Sequence, residues 1–479
     1  MNVYSQIRRK WLWICLAFAI LFMNVFSLAN LTNKPGVWYD EGINIELARN
    51  FAEFGKLDLI TEPLTFTGYG ALIGSTGYPV TLPLALFFKI FGFGFAQARI
   101  YMLLWMNLAL FAAFLFVKKR WGTGAAAAAV LLFVTFPPFY GNGRSVMGEI
   151  PGFVFMLWFL DWFLSGKKLW LAGIFLGLAV ISKPSIFVFL IPATAILLAL
   201  NRKDFIKKVF QLGAGSLIPF VVWVGIYADH AFSRNTWLNL KDHFANPYKE
   251  AGFSSAMNIK NNLLAFFQTP TLVYFLLLFV IIAAAGFLGR EFFRRNRFFL
   301  ILAGFYGLFS LFYFLKSLGY LRYLIAAQLL ILIFLEPSLR VLENRFLPNK
   351  KIHLTAVILS LLILFQLGYL FTRAKLFYSS REERVFQYVE RNFPESTVGV
   401  INIPPIASLI PPDKRFQTIS SYGLRGVGEN PLLREENRLP GVIILDSREP
   451  LEDKYVDILK RFYGLVAAID GDTLIYKKN

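Results

Sequence analysis

The feature that most limits how this chain can fold is a series of uncharged apolar runs, each roughly 15–25 residues long, recurring through its first three-quarters. A helix rises about 1.5 Å per residue, so a run of that length crosses a hydrocarbon layer of about 30 Å. Of the 479 residues, 56% are hydrophobic and 16% charged, where a soluble domain carries about a quarter charged residues. One soluble core cannot absorb so many apolar segments. The 52 Phe residues suit lipid-facing helices and interfacial belts.

Candidate spans fall near 11–31, 96–117, 123–138, 148–164, 168–182, 184–200, 207–228, 263–288, 298–316, 321–335 and 352–372. The stretch 78–92 is apolar but short, with Pro79, Pro83 and Lys89, and is expected to form an interfacial or re-entrant helix. The net charge of +19 is not spread like a nucleic-acid surface. Lys and Arg collect in alternate short loops: Arg8 to Lys10, Lys118 to Arg120, Lys167-Lys168, Arg202 to Lys208, Arg290 to Arg297 and Arg340 to Lys351. That is the positive-inside pattern, and it argues against a nucleic-acid partner. The first run follows Arg8-Arg9-Lys10 and, at about 19 residues, is longer than a typical signal h-region, so it is taken as an uncleaved membrane helix. The chain then starts in the cytoplasm and ends outside, the plasma membrane being the default location. Cys15, the single cysteine, allows neither an intrachain disulfide nor a cysteine-based zinc cluster.

Residues 1–374 are expected to form the transmembrane unit, with outer loops at 32–77 and 229–262. Residues 375–479 change to a polar composition. Helical patterning at Glu382 to Arg391 and Glu452 to Phe462 combines with strand patterning at Thr397 to Ile403, Gly441 to Leu445, Leu465 to Ile469 and Thr473 to Tyr476. The expected fold class is therefore an α-helical polytopic membrane protein of about 11 transmembrane helices plus interfacial helices, with a small C-terminal α/β extracytoplasmic domain.

Several ionisable residues gather toward the outer side. Asp40-Glu41 follows Trp38-Tyr39 just past the first span; an Asp there can act as a general base, while either residue can simply cap a helix running from Gly42 to Phe54. Arg144 and Glu149 flank the start of another span, solvated, paired with each other, or functional. Lys183-Pro184 separates two short spans and offers a cation for an anionic headgroup or one particular phosphate. Arg322-Tyr323 follows Tyr320, and its planar fork suits phosphate oxygens as well as an interfacial anchor. Arg99 opens a span and is expected to be an anchor. His230 and His243 have no recognised metal-ligand spacing and are expected to be surface histidines.

The order of these motifs resembles the GT-C superfamily of membrane glycosyltransferases, in particular protein O-mannosyltransferases, aminoarabinose transferases of lipid A and Rgt-type lipopolysaccharide transferases. The motifs are Trp38-Tyr39-Asp40-Glu41, Gly77-Tyr78-Pro79, Ala98-Arg99, Gly143-Arg144-Ser145 with Glu149-Ile150-Pro151, Gly177-Leu178-Ala179 with Ser182-Lys183-Pro184, and Arg322-Tyr323. They cover about residues 35–335. The resemblance implies a GT-C-like fold and a polyprenyl-phosphate-linked sugar donor. It implies transfer of a hexosyl or pentosyl unit to an acceptor hydroxyl on a glycolipid, polysaccharide or protein at the outer membrane face, as part of cell-envelope glycolipid biosynthesis or a related process. It places the catalytic acid/base on Asp40, with Glu41 beside it and Glu149 as the second acidic position, one methylene longer than the Asp frequent in relatives. It places Lys183, Arg322 and Tyr323 near the donor phosphate, where Arg144 is a further candidate. No cofactor is specified, and a divalent metal requirement is left open. The alternatives are a lipid or solute transporter or flippase, which predicts repeat symmetry not visible here, and a noncatalytic scaffold.

Overall fold

Breaks in the apolar pattern decide where the chain turns. The computed structural model describes residues 3–70, 74–202, 204–245, 255–348, 353–373, 378–418, 439–448, 451 and 453–479. The first helix, α1 (Val3–Leu28), is followed by α2 (Tyr39–Phe54), a short β1–β2 hairpin (Ile60–Glu62 and Thr65–Phe66) and α3 (Tyr78–Phe91). α4 (Phe95–Thr135) has 41 residues, about 60 Å if straight and too long for one crossing. It bends at Gly122, whose φ of 88° ends one arm and starts the next. α5 (Pro137–Arg144) and α6 (Glu149–Ser165) then form one apolar pair bent by 106°.

α7 (Leu169–Ser182) stops at Lys183-Pro184, because proline cannot continue a helix but starts the next one well. A single turn (Pro184–Phe187) leads into α8 (Leu190–Leu200). The membrane part continues with α9 (Phe205–Ile226), α10 (Arg234–Ala245), α11 (Ser255–Gln268), α12 (Pro270–Leu288), α13 (Arg290–Lys316), α14 (Ile325–Phe346) and α15 (Leu354–Arg373). Among the described residues, six helices are long and apolar enough to cross a membrane, seven if the bent pair is one span. Shorter apolar helices occupy Trp13–Leu28, Tyr78–Phe91, Leu169–Ser182 and Pro184–Leu200. All but the 78–91 helix coincide with expected spans, as do the two arms of α4. The polytopic helical fold is therefore the expected one.

The tail folds as an α/β lobe: α16 (Arg381–Asn392), β3 (Val398–Ile401), β4 (Arg415–Thr418), β5 (Val442–Asp446), α17 (Asp453–Phe462), β6 (Tyr463–Ile469) and β7 (Thr473–Lys478). Strand order is β4-β3-β5-β7-β6, with β3 parallel to β4 and β5, and β7 antiparallel to β5 and β6. Alternate side chains face opposite layers, as strand geometry requires. Val398, Val400, Val442 and Ile444 pack under Val385 and Val389 of α16, while Ile401, Ile443 and Leu445 pack with Leu459 and Tyr463. β5 is buried along its whole length, as the middle strand should be.

The lobe sits directly on α2. A Cβ at Gly42 would meet the Pro405 backbone nitrogen at 2.3 Å, so only glycine permits this approach. Arg49 of α2 donates to the carbonyls of Ser408 at 2.9 Å and Ile410 at 3.0 Å. Glu46, fully buried, accepts from Arg415 Nη2 at 2.7 Å, Gln417 Nε2 at 2.7 Å and the Ile60 amide at 3.0 Å.

Candidate active site

The site begins with the way α2 starts. Trp38 is in extended conformation as N-cap, and the Glu41 carboxylate turns back to accept its amide at 3.3 Å. A carboxylate in this position satisfies an otherwise orphaned donor and favours the positive end of the helix dipole. The helix therefore opens at Tyr39, three residues before Gly42. Both capping and a second task fall to Glu41: it receives Arg99 Nε at 3.1 Å and Nη2 at 3.0 Å, and the Val146 amide at 3.2 Å. Neither side chain of the Glu41–Arg99 pair is exposed. Arg99 also donates to the carbonyls of Leu31, Thr32 and Pro35. It is thus an internal clamp between the first loop and α4, not the interfacial anchor expected from its place at the head of a span. Its buried partner, 58 positions away, is invisible to local pattern.

Arg144, also buried, donates to the carbonyls of Asn30 at 3.1 Å and Ala29 at 3.4 Å. It supports the same first loop and is not paired with Glu149. The structure therefore gathers Glu41, Arg99 and Arg144 into a framework beneath the loop. Lys34, near Arg144, has its ammonium pushed below the usual lysine range by burial and by that guanidinium.

Asp40 points elsewhere. Its Oδ2 lies 2.9 Å from Arg322 Nη2, and both side chains keep some exposure, 24% and 14%. The Arg322 guanidinium is bracketed by aromatic rings, with centroids at 5.1 Å for Tyr320, 5.7 Å for Trp38 and 5.8 Å for Tyr323. Rings in this position hold a cation through their negative faces. Tyr323 is buried against Tyr313, with ring centroids 5.1 Å apart.

Glu149 and Lys183 form the second half. Glu149 is the first residue of α6 and fully buried; Lys183 caps α7 and is 2% exposed. Lys183 Nζ stands 3.9 Å from Glu149 Oε1, beyond hydrogen-bond reach, and neither carboxylate oxygen of Glu149 has a hydrogen-bond partner among the described residues. The turn 184–187, which directly follows Lys183, packs on the turn 321–324 that carries Arg322, so the Glu149–Lys183 pair lies next to the Asp40–Arg322 pair. Two glycines make the placement possible. A Cβ at Gly148 would meet the Ser182 carbonyl oxygen at 1.9 Å, and one at Gly77 would meet that of Ile181 at 2.1 Å. The Gly77-Tyr78-Pro79, Glu149-Ile150-Pro151 and Ser182-Lys183-Pro184 motifs are thus neighbours in space.

Of the residues singled out in the sequence, Asp40, Glu149, Lys183, Arg322 and Tyr323 converge, while Glu41 and Arg144 hold the loop that carries Asp40. Among the described residues no group of three or more His, Cys, Asp or Glu is placed to hold a metal ion. The side chains of His230 and His243 lie outside the described residues.

A helical membrane part carrying an α/β lobe is a fold shared with solved structures of proteins to which the motifs also point, and part of the chain matches a mannosyltransferase family. Residues 80–227 match the dolichyl-phosphate-mannose-protein mannosyltransferase family. The fold is similar to that of ArnT from Cupriavidus metallidurans bound to undecaprenyl phosphate, at a TM-score of 0.63 and 14% identity over 98% of each chain. It is also similar to the archaeal oligosaccharyltransferase AglB from Archaeoglobus fulgidus in complex with an inhibitory peptide and a dolichol-phosphate. There the TM-score is 0.56 and the identity 13%, over 98% of this chain and 74% of that one. No curated protein matches the chain by sequence.

Proposed function

We propose that this protein is a membrane glycosyltransferase that moves a sugar, hexosyl or pentosyl, from a polyprenyl-phosphate donor to an acceptor hydroxyl at the outer membrane face. The observation that carries this is the pair of neighbouring acid–cation contacts, a partly exposed Asp40 with Arg322 and a buried Glu149 near Lys183. An apolar groove of about 410 Å³, walled by Val180, Ile181, Thr194, Leu198, Leu212 and Phe220, lies between α7, α8 and α9. It suits an isoprenoid tail whose phosphate reaches Lys183, two residues beyond Ile181. The match of residues 80–227 to dolichyl-phosphate-mannose-dependent transferases and the undecaprenyl phosphate bound by ArnT support this donor class.

In the reaction, Asp40 takes the proton of the acceptor hydroxyl as that oxygen attacks the anomeric carbon. The bond from that carbon to the phosphate oxygen breaks, and the electron pair leaves with the polyprenyl phosphate. Lys183 and Arg322 stabilise the developing phosphate charge, the kind of interaction that is usually the largest catalytic term. Arg322 exchanges part of its contact with Asp40 for the phosphate, which its fork can bind bidentately. Glu149, with both oxygens open, accepts hydroxyls of the donor sugar.

The orientation proposed is a cytoplasmic N-terminus and an extracytoplasmic lobe in the plasma membrane, supported by the alternation of basic loops. The decisive experiment incubates purified protein in lipid nanodiscs with a panel of polyprenyl-phosphate sugars and follows release of the lipid phosphate. Release from at least one donor, abolished in Asp40→Asn, is expected; no release from any donor would overturn the assignment.

A further inference from the structure

A polar cleft of about 450 Å³ opens where residues 35–38 meet the C-terminal lobe. Its walls carry Trp38, Tyr378, Arg381, Arg448, Asp470 and Asp472. Trp38 is shared with the pocket below: its ring lies 5.7 Å from the Arg322 guanidinium that holds Asp40. The cleft therefore shares the Trp38 wall with the Asp40–Arg322 pair.

Its chemistry is selective. Trp38 and Tyr378 leave large rings exposed, 43% and 55%, and such rings give rigid contact to a flat C–H face at little entropic cost. Asp470 and Asp472 project from the β6–β7 turn, where positive φ at Asp470 (55°) and Gly471 (76°) brings two carboxylates to one hairpin tip. Arg384 donates to Oδ2 of Asp470 at 2.6 Å, so Asp472 is the more open of the two carboxylates, and the guanidinium groups opposite are already engaged. Arg381 binds Glu382 at 3.2 Å and Asp446 at 2.8 Å. Arg448 forks onto both oxygens of Asp446 and stands 3.6 Å from Asp472. No surplus positive charge lines the walls, so an anionic ligand gains nothing and meets two carboxylates.

We propose that this cleft is the acceptor subsite and that it takes a neutral saccharide, stacked between Trp38 and Tyr378 with its hydroxyls donated to Asp470 and Asp472. The proposal rests on the glycosyl-transfer reading for the word acceptor, but the saccharide site itself does not. The hydroxyl at the inner end of such a chain is the one delivered to Asp40.

The test uses the full chain in nanodiscs and two independent readouts. Saturation-transfer NMR measures binding of neutral gluco-, manno- and galacto-oligosaccharides, with an anionic uronic-acid oligomer and a Ser/Thr-rich peptide alongside. Lipid-phosphate release into water, without acceptor, reports the donor pocket. The variants are Asp472→Asn, whose side chain is 44% exposed and only loosely paired, and Tyr378→Ala. A neutral oligosaccharide is expected to bind the parent, and each variant to weaken it about tenfold, the loss of one strong contact, while lipid-phosphate release stays within about twofold. Equal binding to parent and variants, no saccharide binding at all, or preference for the uronic acid or the peptide would overturn the proposal. If saccharide binding is lost in the variants but no donor is ever cleaved, the glycosyl-transfer assignment fails and the saccharide site stands.

Discussion

Two regions along α2 handle buried charge in opposite ways. Where the helix meets the first loop and the lobe, every carboxylate is saturated: Glu41 by Arg99 and two amides, Glu46 by Arg415, Gln417 and the Ile60 amide. Where it faces Lys183 and Arg322, the carboxylates are kept short of partners, Asp40 with one long-armed cation and Glu149 with a lysine 3.9 Å away. A buried charge without hydrogen bonds is costly. That Glu149 lacks the hydrogen bonds that Glu41 and Glu46 have is what the proposed donor-sugar contact would explain.

The contrast is breakable. The largest effect is expected from Asp40→Asn, which keeps shape but removes the base: turnover should fall by about 10²–10⁴, with stability changed by about 1 kcal/mol or less, since the pair is partly exposed. Paired turnover and denaturation measurements check this, and a large stability loss would move Asp40 into the framework. Arg99→Ala should do the reverse of a clean catalytic loss. Stranding Glu41 costs about 3–5 kcal/mol, visible as a lowered melting temperature before any kinetic defect is interpreted. Glu149→Gln sharpens the comparison most: turnover should drop about tenfold or more, and stability should fall by less than in Arg99→Ala, because the Glu149–Lys183 contact carries no hydrogen bond.

Arg322→Lys keeps the charge but loses the planar fork, so turnover should fall about tenfold with the fold intact. The smallest effect concerns acid. Hydrogen bonds from Arg448, with Arg381 beside it, hold the Asp446 carboxyl at about 2, below its usual range. A depressed folded value means its stabilisation is complete above the ordinary aspartate range and is lost as pH falls toward about 2. Asp446→Asn should flatten the acid side of the lobe's melting curve, and an unchanged slope would place the acid sensitivity elsewhere.

Much of this was legible in the residues, for reasons that differ by level. The crossings could be read because each is a local property, a run of fixed length ended by charge, Gly or Pro. Lys183-Pro184 and Gly122 mark breaks in the chain, and Gly122 separates the expected spans 96–117 and 123–138 into two arms. In the lobe, the helices and four of the five strands are visible, but Arg415–Thr418 is not, because Arg415 and Gln417 conceal a strand that is wholly buried. Those polar residues are there for Glu46, more than 360 positions earlier. The same limit applies to Asp40 and Glu41. Adjacent in sequence, they look like equal halves of one motif, yet helical geometry turns them about 100° apart, one toward the pocket and one into the framework.

The junction at Glu46 has one more consequence. Pulling the lobe away would remove the arginine and the glutamine that bind this acid and uncover the face of α2 on which Pro405 packs. Severing the chain near residue 380 would therefore strip Glu46 of Arg415 and Gln417 and open a close-packed face of the helix to water. The junction is thus an internal seam with its own charge and hydrogen-bond complement, not a tether between independent pieces.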